Sequence, residues 1–252
     1  MSLSFGFSSL CDDFSVDMYI NTKFDLPSSR DTLLGFFDRI RKQYPSMASL
    51  VRDNASEYCL EEDRQAGANR WVSLDVDRVG VGVLNPLNFE EVFELDRFVI
   101  GLVPYMLGVT GLDIESLDVT FGLDFECRGN HNEIIAEAMF AGSPFAEFFD
   151  ISGPGPVNLS PTVVTALDDA CSTKVRITVD SKTEDSEIRT KKYDKDKPIS
   201  LYLTVRQCPQ VGKVFDLAES FENQCRIITD LMDEKIVSNF VMPLTNAIAH
   251  RR

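Results

Sequence analysis

The sequence predicts an α+β fold in which a β-α-β-β-β-α unit occurs twice in tandem, the two units sharing one mainly antiparallel sheet of about eight strands with helices packed on one face. Three observations predict it. Apolar residues recur with period two over residues 15–26 and again over 116–127, each run is followed by residues at helical spacing, and a long apolar helical stripe closes the chain.

In the first run Val16, Met18, Ile20 and Phe24 alternate with polar residues, the pattern of a strand with one buried face. Pro27 stops it, Ser28 or Ser29 offers an N-cap, and Leu33, Leu34, Phe37 and Ile40 keep helical spacing as far as Tyr44-Pro45. Residues 53–61 read as a strand around Tyr58 and Leu60. Between Trp71 and Val83 the apolar residues change phase: Val72, Leu74 and Val76 are even-numbered, Val79, Val81 and Val83 odd. One pleated face cannot hold all six, so two short strands joined by a tight turn at Asp77-Arg78 are expected, with a bulge as the alternative. Asn88 then caps a helix carrying Phe89, Val92, Leu95, Phe98, Val99 and Leu102, apolar around most of its circumference and therefore covered on several sides.

At Ser116 the pattern restarts. Residues 116–127 align without a gap on 15–26 at an offset of 101, which sets Leu117, Val119 and Phe121 on Val16, Met18 and Ile20, and Asp118 on Asp17. The same offset lays Ile134-Ile135 on Leu33-Leu34 in a second helix, capped by Asn130 with Glu133 at the third position, a variant of the capping box. A loop at Gly153-Pro154-Gly155-Pro156, strands at 157–167, 172–181 and 199–207, and a final helix follow. Leu217, Phe221, Cys225, Ile228, Met232, Ile236 and Phe240 form that helix's stripe, and Pro243 ends it. The charged segment Asp180–Lys197 reads as a solvated hairpin tip. The duplication divides the chain into halves, 1–113 and 114–252, of one continuous domain with pseudo-twofold symmetry.

The composition is that of a folded globular chain: 252 residues, 44% hydrophobic and 26% charged. Forty acidic against twenty-five basic side chains give a net charge of −15, which repels phosphate backbones and anionic lipids. No nucleic-acid or membrane partner is expected. The longest apolar stretch, near Phe98–Leu107, is interrupted by Gly101 and Pro104 and falls short of a bilayer span. Met1–Leu10 lacks the pattern of a secretory signal, and the six cysteines are dispersed with no C-x-x-C pair, so reduced thiols and a cytoplasmic location are expected.

Common catalytic constellations are missing. Only His131 and His250 are available for acid–base work near neutral pH; His131 falls in a polar helix start and His250 in the frayed ending Ala-His-Arg-Arg. No spacing marks a Cys-His nucleophile, and G-x-S-x-G, H-E-x-x-H and G-x-x-x-x-G-K-[ST] are all lacking. Gly80-Val81-Gly82 lacks the third glycine of a dinucleotide fingerprint and reads as a strand of small residues. Glu61-Glu62-Asp63, Glu90-Glu91 and Asp168-Asp169 read as solvated surface rather than cation sites, and the basic stretch Arg189–Lys197 as a solvated loop.

Trp71-Val72-Ser73-Leu74, the run Asp77–Val83, Asn88-Phe89-Glu90-Glu91-Val92-Phe93, the strand at Leu117 and the terminal helix around Phe221 together resemble a sporadically distributed bacterial family, which supplies no activity to carry over. The duplicated unit with a shared sheet also resembles TATA-box-binding proteins and helix-grip folds, at the level of architecture alone.

The expected function is a non-enzymatic binding module that uses a sheet face or an edge strand to hold a protein partner or a second copy of itself. The alternative is a small-molecule pocket between sheet and helices, possibly catalytic. No cofactor or metal is implied. The candidate ligand-binding residues are Asp118, Glu126, Arg128 and His131, at or after the second central strand.

Overall fold

A computed structural model describes residues 9–52, 57–63, 69–153 and 155–251. The chain runs β1 (Asp13–Thr22), α1 (Arg30–Gln43), β2 (Met47–Arg52), β3 (Tyr58–Glu62), β4 (Asn69–Leu74), β5 (Arg78–Leu84) and α2 (Phe89–Met106). It continues through β6 (Ile114–Phe125), α3 (His131–Phe140), α4 (Pro144–Phe149), β7 (Thr162–Ala166), β8 (Thr173–Asp180), α5 (Asp185–Thr190), β9 (Ile199–Gln207), α6 (Leu217–Leu231), a π-helical stretch Met232–Val241 and α7 (Met242–Ala249). The nine strands form one sheet in the order β2-β3-β4-β5-β1-β6-β9-β8-β7, antiparallel at every pairing.

The fold is thus α+β with a mainly antiparallel sheet, and period-two alternation decides its two faces. Phe14, Val16, Met18 and Ile20 of β1 and Leu117, Val119, Phe121, Leu123 and Phe125 of β6 are buried toward the helices, as are Ile199, Leu201, Leu203 and Val205 of β9. Between the sheet centre and α2 lies a run of aromatic rings. Phe121 stacks on Phe89 at 5.2 Å and meets Phe14 edge-on at 5.5 Å, Phe89 stacks on Phe93 at 5.7 Å, and Phe93 meets Phe221 of α6 edge-on at 5.8 Å. Such pairs add about 0.5–1.5 kcal/mol each beyond their buried area.

Local signals act where the sequence carries them. The Ser29 hydroxyl accepts from the Thr32 N–H and the Asn88 side chain from the Glu91 N–H, capping α1 and α2. The phase change after Leu74 is a turn, closed by the Asp75 N–H donating to the Arg78 carbonyl at 2.9 Å.

Several elements differ from the sequence expectation. The strand placed at 53–61 is β3, starting at Tyr58, and residues 53–56 lie outside the described residues. A further strand, β2, precedes it; only Met47 of β2 is buried, so no alternation announces an edge strand, and the sheet has nine strands rather than about eight. The strand expected over 157–167 is confined to β7. Asp180–Lys197 is not a bare solvated tip: Glu184 and Glu187 form a reciprocal capping box that starts α5 and turns Ile188 into the interior. At α3 the Asn130 side chain accepts from the Asn132 N–H, while Glu133 reaches Arg251 at 2.9 Å instead of completing a box.

Pro243 does not end the last helix. In a regular α-helix its ring would collide with the carbonyl four residues back and it offers no N–H; here the preceding ten residues run as wide π turns and the proline stands in the first turn of α7. Within the ending, Arg251 is tied down by pairing with both Glu133 and Glu137 of α3, at 2.9 and 3.1 Å, and Arg252 lies outside the described residues.

Candidate functional site

Opposite the helices lies a polar sheet face, and it carries the most developed side-chain constellation. Strand registers set Trp71, Gly82, Asp17, Thr120, Thr204 and Arg176 in one row across β4, β5, β1, β6, β9 and β8. The adjoining row is Ser73, Gly80, Tyr19, Asp118, Arg206 and Lys174. At the centre is a depression of about 380 Å³ lined by Asp17, Tyr19, Arg78, Thr120, Arg176, Tyr202 and Arg206 among others.

Glycines make room for this arrangement. A Cβ added at Gly82 would run into both the Asp17 carboxyl and the Trp71 indole, and one added at Gly80 would meet Ser73, Trp71 and Tyr19. At Gly122 it would meet the Ser15 hydroxyl and, at 3.3 Å, the Tyr202 ring. The strand of small residues is therefore a floor on which large side chains lie down. Tyr19 and Trp71 sit 6.0 Å apart at the rim, and the Arg78 guanidinium lies 5.3 Å from the Tyr19 ring.

Charge is unevenly divided across the depression. Arg206 donates two hydrogen bonds to Asp118, from Nε at 2.7 Å and Nη2 at 2.5 Å, and Asp118 is buried beneath it. Asn21 Nδ2 also reaches Asp118, at 3.3 Å. Asp17 accepts from the Ser15 hydroxyl at 2.9 Å. Burial, reinforced by the nearby Asp124 charge and opposed by the Ser15 hydrogen bond, pushes the Asp17 carboxyl up to about 7. Between them the Thr120 and Thr204 hydroxyls share a hydrogen bond of 2.9 Å.

The four residues singled out from sequence do not meet. Asp118 is on the polar face. Glu126 and Arg128 line a separate cavity of about 580 Å³ at the end of β6, together with Lys195 and Arg251. His131 is buried at the start of α3; its backbone N–H donates to the Thr183 hydroxyl at 3.0 Å, Nδ1 has no hydrogen-bond partner among the described residues, and burial pulls its pKa down.

No protein-family model matches the chain, and no curated protein compared with it is significantly similar. The chemistry therefore has to be read from the side chains themselves. Among the described residues no group of three or more His, Cys, Asp and Glu is arranged to hold a metal ion, and no helix is long and apolar enough to cross a membrane. What the polar face offers is a set of donors, several planar rings and one carboxyl whose proton leaves near neutral pH, all on rigid strands.

Sequence reasoning missed Asp17, Arg176, Arg206 and Tyr202 as site residues. The available signal was the polar half of the alternation in β1, Asp17-x-Tyr19-x-Asn21, whose counterpart at the offset of 101 begins with Asp118.

Proposed function

We propose that this chain is a binding module that works through the polar face of its sheet. One observation carries the reading: a depression of about 380 Å³ on rigid central strands, walled by arginines and by rings laid over glycines. Its volume lies within the usual range for ligand sites, roughly 300–1,000 Å³. The alternative site between sheet and helices has less support, since aromatic rings from Phe14 to Phe221 pack in that layer.

The duplication belongs to the same proposal. At the offset of 101 Met18 corresponds to Val119, and these two residues are paired across β1 and β6, which is where a twofold axis relating two copies would pass. In both halves the first strand is central and the last strand of the meander returns beside it, β5 next to β1 and β9 next to β6. The depression straddles that junction, so the site would be assembled by both copies. A cytoplasmic location is part of the reading, supported by the dispersed spacing of the six cysteines, with no C-x-x-C pair.

A thermal-shift screen with a broad metabolite library tests the function. A compound bound at a hundredfold excess over its Kd should raise Tm by about 5 °C or more, and Thr178→Trp, which sets an indole across the depression, should remove the shift. An equal shift in the variant, or none from any compound, contradicts the reading.

Self-association is the second reading, favoured by edge strand β7. Its five residues carry no charge, and Val163 and Val164 are 59% and 56% exposed, whereas edge strands are commonly guarded by charge or proline. Light scattering after size exclusion should then give a dimer mass that Val164→Lys returns to the monomer. A monomer at high concentration for the unaltered chain removes this reading.

A further inference from the structure

The face described above has a charge defect that points to a class of ligand. Lys174 and Arg206 are directly cross-strand partners on β8 and β9, and Arg176, two residues along from Lys174, is diagonal to Arg206. Like charges directly opposite on one sheet face are destabilising, and a diagonal neighbour at roughly 7–8 Å is still within reach of long side chains. Among the described residues Asp118 makes the one ion pair in this group, and it serves Arg206 alone. Lys174 and Arg176, both on β8, are left without an ion pair among the described residues, in a chain whose net charge is −15.

Geometry supplies what an anion would need. A guanidinium has five N–H donors, and Arg206, which lines the depression, commits two of its own to Asp118 and leaves three without a hydrogen-bond partner among the described residues. Arg176 borders the same depression and is exposed. Beside them Tyr202 rests over Gly122, and the Thr120–Thr204 hydroxyl pair lies between the cations and Asp17. Guanidinium pairs suit the planar or tetrahedral oxygens of carboxylate and phosphate groups, and flat rings suit a flat organic body.

We propose that the polar face takes a small organic oxyanion, its carboxylate or phosphate held among Lys174, Arg176 and Arg206 and its planar body laid toward Tyr202 and Thr120. This rests on the reading of that face as the binding surface. The anion would relieve the repulsion between neighbouring strands, so ligand binding and sheet stability are coupled in this region.

Trp71 is the single tryptophan of the chain and lies in the row that crosses the depression, so its emission reports on the face without labelling. Titration calorimetry and Trp71 emission should be followed with phenyl phosphate, benzoate, inorganic phosphate and benzyl alcohol. At least one aromatic anion is expected to bind tenfold or more tightly than inorganic phosphate and than benzyl alcohol. The preference between phenyl phosphate and benzoate identifies the oxyanion. Affinity should fall at least tenfold in Lys174→Ala/Arg176→Ala, and in Arg176→Gln, the milder variant for which folding is not in question. Binding of the anions with unchanged affinity in both variants overturns the proposal, as does the absence of anion binding. Should benzyl alcohol alone bind, or should only uncharged library compounds raise Tm in a Thr178-dependent way, the oxyanion inference fails while the polar face remains the binding surface.

Discussion

Phe121→Ala is expected to cost about 3–5 kcal/mol of unfolding free energy. Phe121 is fully buried on β6, two residues from Val119, and its ring stacks directly on Phe89 of α2. Truncation removes the stacked contact with Phe89 and the edge contact with Phe14 and leaves a cavity that two flanking strands, β1 and β9, hold open. Interiors packed like crystals relax only in part, so the lost contacts are not recovered. Urea denaturation checks the expectation: the midpoint should drop with little change in the slope. A loss below about 1 kcal/mol would mean that the aromatic layer does not tie sheet to helices as described.

Asp17→Asn is expected to act in the opposite direction. The carboxyl titrates near the ordinary 3.8 in the unfolded chain and near 7 in the folded one. Between those values the folded protein holds a proton that the unfolded chain has released, so stability falls as pH rises from about 4 to about 7 and stays reduced above that. The shift corresponds to a ceiling of about 4 kcal/mol. Asparagine is near in shape, carries no charge and keeps an acceptor for the Ser15 hydroxyl. The variant should therefore be more stable than the parent at pH 8, by up to about 4 kcal/mol, and indistinguishable from it at pH 4. Denaturation at the two pH values decides it, and equal gains at both would mean that the carboxyl titrates normally. Asp96, fully buried on α2 with Oδ2 unpartnered among the described residues, is raised by burial in the same sense, so some slope should persist in the single variant. A carboxyl that lowers stability at the centre of a polar face is the kind of local conflict that functional sites retain.

Much of the fold could be read in the sequence because it depends on signals a few residues apart. Alternation marked β1 and β6, Ser29 and Asn88 marked helix starts, and the odd–even switch between Val76 and Val79 marked the turn before β5. Other elements carried no such mark. The residues of β2 after Met47 are all exposed, so the strand exists through pairing with β3 rather than through a buried face. The charges that made Asp180–Lys197 look solvated are the ones that cap α5. Asp96 lies on the buried stripe of α2, at helical spacing from Val92, Val99 and Val103, a position at which the stripe carries apolar residues.

The polar face was the least legible part for a geometric reason. Trp71, Asp17, Thr120, Thr204 and Arg176 become neighbours only through the registers of five different strands, and their order in space is unrelated to their order in the chain. Asp118 is a candidate from sequence through its place in the second central strand; its partner Arg206, eighty-eight positions away, offers no local cue. Glu126, Arg128 and His131 were grouped with Asp118 by sequence proximity, and the end of β6 carries them away from its polar face.

Amide shift mapping of the isotopically labelled chain is the most direct test of where it binds. On adding the compound that raises Tm most, the largest shifts should fall on the strand residues of the polar face, Tyr19, Thr120, Arg176 and Tyr202 among them. Shifts concentrated instead around Glu126 and Arg128, or in the helical layer with those strands unmoved, would contradict the account.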